Sequence, residues 1–330
     1  MTRVAAVDCG TNSIRLLVAD IDPDSGELTD LDRRMTIVRL GQGVDRTGLL
    51  APEALARTFD ACQEYAAALR DWRVPPERLR FVATSATRDA GNREDFVSGV
   101  RDILKVEPEV ITGDQEAELS FTGATRELAG DPAFSGPYLV VDIGGGSTEL
   151  VLGDRAVIAA RSVDVGCVRM TERHLLRQPG PDSPDGTPEL LDPPPPDRVA
   201  AITADIDRAL DQAARTVPLE RAATLVGLAG SVTTVAGIDL GLDAYDHQAI
   251  HHSRVTLERV REISDHLLAS THEQRAAIPV MHPGRVDVIA SGALVLRRLM
   301  ERLNLPEVVV SEHDILDGIA HSCASHDQGP

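Results

Sequence analysis

Residues 5–20 read AAVDCGTNSIRLLVAD, and residues 139–154 read LVVDIGGGSTELVLGD. The two stretches align without a gap. In each, an apolar run rich in β-branched residues ends at an Asp, and a turn of Gly, Ser, Thr or Asn leads into a second apolar run. This pattern is typical of a strand, a tight turn and a second strand. The repeat therefore predicts two related hairpins, one in each half of the chain.

The turns DCGTNS and DIGGGS suit phosphate binding. Small residues let backbone N–H groups close around an anion, and an Asp at the end of the strand can hold a divalent cation that faces the same phosphate. A single glycine-rich turn is more often an ordinary tight hairpin. Two matched copies favour phosphate binding.

The two copies differ in charge at one position, where Arg15 in the first matches Glu149 in the second. This difference predicts different roles for the two hairpins. Together with Asp142, Glu149 can ligate Mg²⁺, which accepts one or two carboxylates along with phosphate oxygens. A solvated carboxylate on a strand is the alternative for Glu149.

Composition limits the possible classes of protein. The chain has 330 residues, of which 42% are hydrophobic and 26% charged, enough to bury two modest cores. We find no apolar stretch of membrane-spanning length, and Asp8 interrupts the N-terminal apolar run, so we expect a cytoplasmic protein. The formal net charge of −19 disfavours binding to DNA or to acidic membranes.

Several common sites are excluded by the sequence. Lys105 is the one lysine, so the lysine-containing loop of P-loop enzymes is absent, and Gly41 and Gly43 lack the third glycine of a dinucleotide fingerprint. The cysteines form no CxxC pair, so neither a zinc site nor a disulfide framework is indicated. A phosphate must therefore be held by arginine, backbone N–H groups, hydroxyls or a metal ion.

Between and after the hairpins, strands and helices alternate, which predicts an α/β architecture. The predicted strands are 79–86, 109–112, 223–228 and 307–310. The predicted helices are 53–72, 92–106, 114–128, 168–177, 197–216, 256–270 and 286–303, with Asn92 and Asp114 as N-caps. The stretch 227–237 is predicted to be a loop, suited equally to a nucleoside or to close helix packing. Residues 178–197 hold 8 of the 20 prolines and are predicted to be a surface loop or a disordered insertion.

Outside the hairpins, three side chains are candidates for chemistry. Arg88, at a hydroxyl-rich junction after a predicted strand, can bind phosphate oxygens in pairs, although an ion pair at the surface is the more common role. Glu116 and Glu118 lie in the first turns of a predicted helix, where the helix dipole favours a carboxylate whatever its function. A hydrolase needs such a carboxylate to activate water, but the pattern alone does not choose between the two.

Taken together, these motifs resemble the exopolyphosphatases and guanosine pentaphosphate phosphatases, within the actin, Hsp70 and sugar-kinase superfamily. The resemblance runs from Val4 to about Ala320. The matching stretches, in order, are DCGTNSIRLLVAD, ATSATRDAGN, ITGDQEA, DIGGGSTEL, GLAGSVTT and RAAIPVMHPGRVDVIASGA. The resemblance implies an α/β fold of duplicated actin-like (ribonuclease H-like) domains around a central cleft. It also implies Mg²⁺-dependent release of orthophosphate from polyphosphate or guanosine pentaphosphate, and a homodimer.

The resemblance also assigns roles to particular residues. Glu116 resembles the water-activating base, Glu149 a second catalytic carboxylate, and Arg88 a polyphosphate contact. Asp142, Glu149 and Asp8 are the predicted metal ligands, Mg²⁺ or another divalent cation being the expected cofactor. The predicted phosphate-binding residues are Gly10, Thr11, Asn12, Ser13, Arg88, Gly144, Gly145, Gly146 and Ser147.

The expected domains are residues 1–126 and 127–312, with the insertion 178–197 in the second and a helix at about 313–330 packed back on the first. The chain departs from the family pattern where Gln115 stands for an acidic residue and Asp317 for an arginine, and it resembles the short, two-domain type. Two alternative functions stay open. One is an actin-fold kinase, and the other is a non-catalytic paralogue that binds guanosine penta- or tetraphosphate and regulates a partner.

Overall fold

The computed structural model describes residues 1–128, 133–177 and 189–325. It divides the chain into two compact units. Unit 1 comprises Met1–Ala133 and His313–Pro330, and unit 2 comprises Phe134–Glu312. Within the ranges described, no helix is long and apolar enough to cross a membrane.

The elements are numbered in chain order. The strands are β1 (Thr2–Cys9), β2 (Ser13–Ile21), β3 (Leu28–Ile37), β4 (Leu79–Ala83), β5 (Glu109–Val110), β6 (Tyr138–Ile143), β7 (Thr148–Gly153), β8 (Val157–Val163), β9 (Leu176–Arg177), β10 (Glu189–Leu190), β11 (Thr224–Leu228), β12 (Arg254–Thr256) and β13 (Glu307–Val310). The helices are α1 (Val44–Thr47), α2 (Pro52–Asp71), α3 (Ser85–Arg88), α4 (Arg93–Leu104), α5 (Gly113–Thr125), α6 (Cys167–Leu175), α7 (Pro196–Ala213), α8 (Ala229–Asp239), α9 (His247–Ile250), α10 (Leu257–Ala269), α11 (His272–Ala276), α12 (Ile289–Leu303) and α13 (Ile315–Ser325).

The two large sheets, one in each unit, share the same order of their corresponding strands. In unit 1 the order is β3-β2-β1-β4-β5, and in unit 2 the corresponding strands follow as β8-β7-β6-β11-β13, with β12 added at the edge beside β13. In both sheets the predicted hairpin is antiparallel and the next strand lies parallel to the hairpin's first strand. This shared order confirms the predicted duplicated α/β architecture.

The sheet of unit 1 is covered on both faces because its central strands are apolar on both sides. Ala5 and Val7 of β1 pack in one core with residues of α2 and α4. Val4 and Ala6 face the other way, into a core that α13 completes. Asp8 follows the same alternation and therefore lies on the α13 side of the sheet.

Helix α13 packs against α5 at very short range. A Cβ atom added to Gly123 of α5 would lie 1.9 Å from the carbonyl oxygen of Asp314, and one added to Gly318 of α13 would lie 2.1 Å from that of Leu119. These neighbours are backbone atoms, so glycine is needed at both positions. The contact fixes the position of α5, the helix that carries Glu116.

In unit 2, one large core lies on the face of the sheet to which Val141 and Ile143 of β6 point, and it includes residues of α7, α10 and α12. Asp142 and Glu149 alternate with these core residues along their strands. They therefore lie on the opposite face of the sheet.

Three predictions about elements need correction. Helix α5 is capped by Thr112 rather than by Asp114, because the Thr112 side chain accepts the N–H of Gln115. The stretch 227–237 is not a loop but the end of β11 followed by α8.

The third correction concerns the insertion 178–197. Residues 178–188 lie outside the described part, but Glu189 and Leu190 form β10 and pair with β9, and Pro196 begins α7. The described end of the predicted insertion therefore contains a short strand and the first residues of α7, with a loop at residues 191–195 between them.

Candidate active site

The turn of the first hairpin presents its carbonyl groups to one side. The N–H of Gly10 donates to the carbonyl of Ser13 (3.0 Å), which closes the turn. The carbonyls of Thr11 and Asn12 accept hydrogen bonds of 2.9–3.1 Å from backbone N–H groups in segment 38–41. In a trans peptide the next N–H points away from the carbonyl, so the N–H groups of residues 12 and 13 face away from that segment.

The second turn repeats this arrangement. Its closing bond, from the N–H of Gly144 to the carbonyl of Ser147, is again 3.0 Å long. The carbonyls of the first two glycines of residues 144–146 accept N–H groups from the start of α6 at 2.9–3.0 Å, and that of the third accepts Arg169 Nε at 2.6 Å. The N–H groups of residues 145–147 therefore face away from α6, in the arrangement that binds anions in backbone nests.

Three polar residues form a row across the second sheet beside this turn. Asp142 on β6 lies directly opposite Glu149 on β7, which in turn lies opposite Ser162 on β8. Opposed residues of antiparallel strands share a face, so the three side chains are neighbours. Asp142 is 7% exposed and Glu149 1%, and the Ser162 hydroxyl donates to Glu149 Oε1 at 2.7 Å.

The corresponding row of the first sheet is Asp8, Arg15 and Met35. Arg15 donates to Asp8 Oδ2 from Nε (3.1 Å) and from Nη2 (2.7 Å), and it also pairs with Asp314. Burial raises the pKa of Asp8, and the guanidinium opposes that rise. Asp8 thus already has a cationic neighbour where Asp142 has a carboxylate, and its predicted metal role stays a prediction.

Arg88 and Glu116 are brought together in unit 1. Arg88 is the last residue of the short helix α3, which begins inside the predicted strand 79–86 because β4 ends at Ala83. Its Nη1 donates to Glu116 Oε2 (3.2 Å) and to the carbonyl of Ile111 (3.0 Å). The Glu116 carboxylate is buried, whereas Glu118 is exposed. The structure therefore separates the two glutamates that the sequence left equivalent.

These groups share one edge of the first sheet. The first turn follows β1, α3 follows β4, and α5 follows β5, so all three begin at the carboxyl ends of parallel strands. Ligands of open α/β sheets bind at this edge. Thr11 Oγ1 and Ser85 Oγ lie 3.0 Å apart, so the turn also contacts the start of α3.

The row in unit 2 fits a hard divalent cation. Mg²⁺ takes oxygen ligands, usually one or two carboxylates completed by water and phosphate oxygens. Asp142 and Glu149 supply two neighbouring buried carboxylates beside a turn whose N–H groups are directed outward. The residues present therefore suit Mg²⁺ better than a thiolate- or imidazole-binding metal.

The chain is similar to known proteins over nearly its whole length. A family model described as the Ppx/GppA phosphatase family matches residues 17–326. The chain belongs to the Ppx/GppA phosphatase family. The Mycobacterium tuberculosis H37Rv protein named Exopolyphosphatase 2 is 49% identical to this family member, over 98% of this chain and 99% of the relative.

Two further proteins are similar to this chain over nearly its whole length. The Aeromonas salmonicida protein named guanosine-5′-triphosphate,3′-diphosphate pyrophosphatase is 27% identical over 98% of this chain and 61% of its own length. A crystal structure described as an exopolyphosphatase-like protein is 40% identical with a TM-score of 0.89, covering 98% of this chain and 99% of that one. Strand order and family membership together confirm the predicted actin-like α/β fold.

The two departures from the family pattern have structural partners. Gln115 completes a capping box with Thr112, its side-chain oxygen accepting the Thr112 N–H at 3.0 Å. Asp317 accepts from Arg33 Nη2 (2.5 Å) and from the backbone N–H of Asp314 (2.9 Å). Both residues therefore stabilise helix starts in unit 1.

Sequence reasoning missed Ser162 and Arg169. Ser162 lies on β8, a strand that the sequence did not predict. Arg169 lies in the first turn of α6, and the packing of this helix against the second turn has no local sequence signature. Neither residue has a signal in the local sequence, and the position of the first copy that matches Ser162 is Met35 rather than a hydroxyl residue.

Proposed function

We propose that this Ppx/GppA protein hydrolyses the terminal phosphoanhydride of inorganic polyphosphate, of guanosine pentaphosphate, or of both, and releases orthophosphate. The observation that carries the proposal is the pair of matched turns, each with its carbonyls bonded on one side and its next N–H groups directed to the other. Such turns hold phosphate oxygens without lysine. The names of the relatives support both substrates, which present the same terminal linkage.

We propose that Glu116 activates the water. The water oxygen attacks the terminal phosphorus, the bridging P–O bond breaks, and the water proton passes to the Glu116 carboxylate. The hydrogen bond from Arg88 supports this role, because it holds the Glu116 carboxylate in a fixed orientation. Arg88 then orients Glu116, in addition to any contact it makes with the chain of phosphates.

We propose that Asp142 and Glu149 hold Mg²⁺. When bound, the cation would neutralise charge on the phosphate oxygens. Each turn can hold phosphate oxygens by hydrogen bonds from its own backbone N–H groups, so catalysis consists mainly of positioning and charge stabilisation. Arg15 beside Asp8 supports placing the cation with the Asp142 hairpin rather than with the first.

The Glu116 assignment is tested by Glu116→Gln, with Glu118→Gln as the matched control on the same helix. Glu116→Gln keeps the shape of the side chain but removes the base, so we expect orthophosphate release to fall by about 10²- to 10⁴-fold. Glu118→Gln alters an exposed carboxylate of the same chemistry and should leave the rate near that of the wild type. Turnover near the wild-type rate in a folded Glu116→Gln protein would rule out this base.

A further inference from the structure

Ser162 stands out in unit 2 because its hydroxyl is directed at a buried carboxylate. It donates to Glu149 Oε1 at 2.7 Å, and Glu149 is 1% exposed. A hydroxyl that donates to an ionised carboxylate makes a charge-assisted hydrogen bond, which is stronger than a neutral one. This bond restrains the final torsion of the Glu149 side chain.

The first sheet offers an internal comparison. Its row holds Asp8, Arg15 and Met35 at the positions of Asp142, Glu149 and Ser162. The first row balances its carboxylate with a guanidinium and ends in a thioether. The second row consists of oxygen-bearing side chains only. The serine hydroxyl is thus present in the row whose carboxylates are proposed to bind the metal ion. It is absent from the row that contains the guanidinium of Arg15.

We infer that Ser162 is a positioning residue for the divalent cation, an inference that rests on the proposed function. Its hydroxyl donates to Glu149 Oε1 and thereby orients the carboxylate that is proposed to bind the cation. Residues that hydrogen-bond to metal ligands typically change metal affinity by about 10- to 100-fold when they are replaced. Ser162 acts through Glu149 and not on the substrate.

The test compares Ser162→Ala with Ser162→Thr. Ser162→Ala removes the donor, whereas Ser162→Thr keeps a hydroxyl and suits a strand. Met35→Ala, at the matching position of the other sheet, is the control. Two quantities are measured for each purified protein: the affinity for Mn²⁺ alone, by the loss of the free-ion signal in electron paramagnetic resonance, and the Mg²⁺ concentration that gives half-maximal orthophosphate release.

We expect Ser162→Ala to weaken Mn²⁺ binding and to raise the half-maximal Mg²⁺ concentration, each by about tenfold. The rate at saturating Mg²⁺ should fall by a smaller factor. Ser162→Thr should restore most of the affinity, and Met35→Ala should match the wild type. A purely structural role predicts lower thermal stability in Ser162→Ala with unchanged Mn²⁺ affinity.

Unchanged Mn²⁺ affinity in Ser162→Ala, or an equal loss in Ser162→Thr, would overturn the inference. Failure of the proposed function looks different, because the wild-type protein would then release no orthophosphate. The Mn²⁺ titration is independent of turnover. The two failures are therefore distinguishable.

Discussion

Arg15 and Glu149 occupy the same position of the two hairpins, directly opposite Asp8 and Asp142. The sequence repeat alone predicts this correspondence, because a gapless alignment fixes the register of both copies. It does not predict the partners. The Arg15 contact with Asp314 joins residues 299 positions apart, and no local pattern encodes such a distance in the chain.

Gly166 provides a test at the residue scale. A Cβ atom at this position would lie 2.4 Å from the carbonyl oxygen of Gly145, a backbone atom of the second turn. Gly166→Ala must therefore displace either the turn or the start of α6. We expect kcat/KM for phosphate release to fall by on the order of 10²-fold, the effect of misplacing a binding group by about 1 Å.

Gly91→Ala is the control for this variant, because its Cβ would lie 3.6 Å from the nearest atom, an ordinary contact. Steady-state kinetics and circular dichroism of both variants check the prediction. Gly166→Ala with wild-type kcat/KM would show that the second turn tolerates displacement and does not position the phosphate.

At the scale of elements, the start of α5 connects a family departure to helix stability. The Thr112 side chain accepts the N–H of Gln115, and the Gln115 side chain accepts the N–H of Thr112, which is a complete capping box. Loss of the acidic residue at position 115 is therefore compatible with a well-formed α5. The first turn of α5, which carries Glu116, is therefore intact.

We expect Gln115→Ala to lower the free energy of unfolding by about 0.5–1 kcal/mol, since one half of the box is lost. Gln115→Glu should be neutral within about 0.5 kcal/mol, because glutamate serves equally at this position. Urea denaturation of the three proteins decides the matter. An equal loss of stability in both variants would mean that the side chain has another role.

The sequence failed to predict strand β3 and helix α8 because tertiary packing, rather than a local sequence pattern, determines both elements. Strand β3 (LTDLDRRMTI) lies at the edge of its sheet, and its charged residues hide any alternation. Helix α8 is buried on nearly all sides, so it lacks an amphipathic stripe, and its Gly, Ser, Thr and Val residues are weak helix formers. Tertiary packing decides both elements. The hairpins, by contrast, carry their own strand and turn signals.

At the scale of the molecule, several arginines of unit 2 form ion pairs with carboxylates. Five arginines of β12, α10 and α12 each form an ion pair with a carboxylate from another element or from the same helix. The pairs are Arg254–Glu307, Arg259–Asp239, Arg261–Glu301, Arg297–Glu301 and Arg298–Asp207. Pairing across elements cannot be read from residue type alone.

We expect the free energy of unfolding to depend on pH in the alkaline range. Burial raises the pKa of the Cys62 thiol from 9.0 to about 12 and that of the Tyr65 hydroxyl from 10.0 to about 12. Both groups hold their protons more tightly in the folded than in the unfolded chain. Their stabilisation is therefore complete below the ordinary pKa values and is lost as the pH rises towards 12.

We expect the free energy of unfolding to fall between pH 9 and 11, by up to about 1.4 kcal/mol per pH unit for each group above its ordinary pKa. Tyr65→Phe removes one of the two titrations and should show a shallower decline. Urea denaturation of both proteins at several pH values measures the slopes. Parallel slopes would exclude a contribution from Tyr65.

The most direct test of the central claim is the release of orthophosphate from polyphosphate and from guanosine pentaphosphate by the purified wild-type protein. Each substrate is incubated with Mg²⁺ and, separately, with a chelator, and no phosphoryl acceptor is added. We expect Mg²⁺-dependent release from at least one substrate. Tight binding of guanosine pentaphosphate with no release from either substrate at any Mg²⁺ concentration would contradict it and favour a regulatory protein.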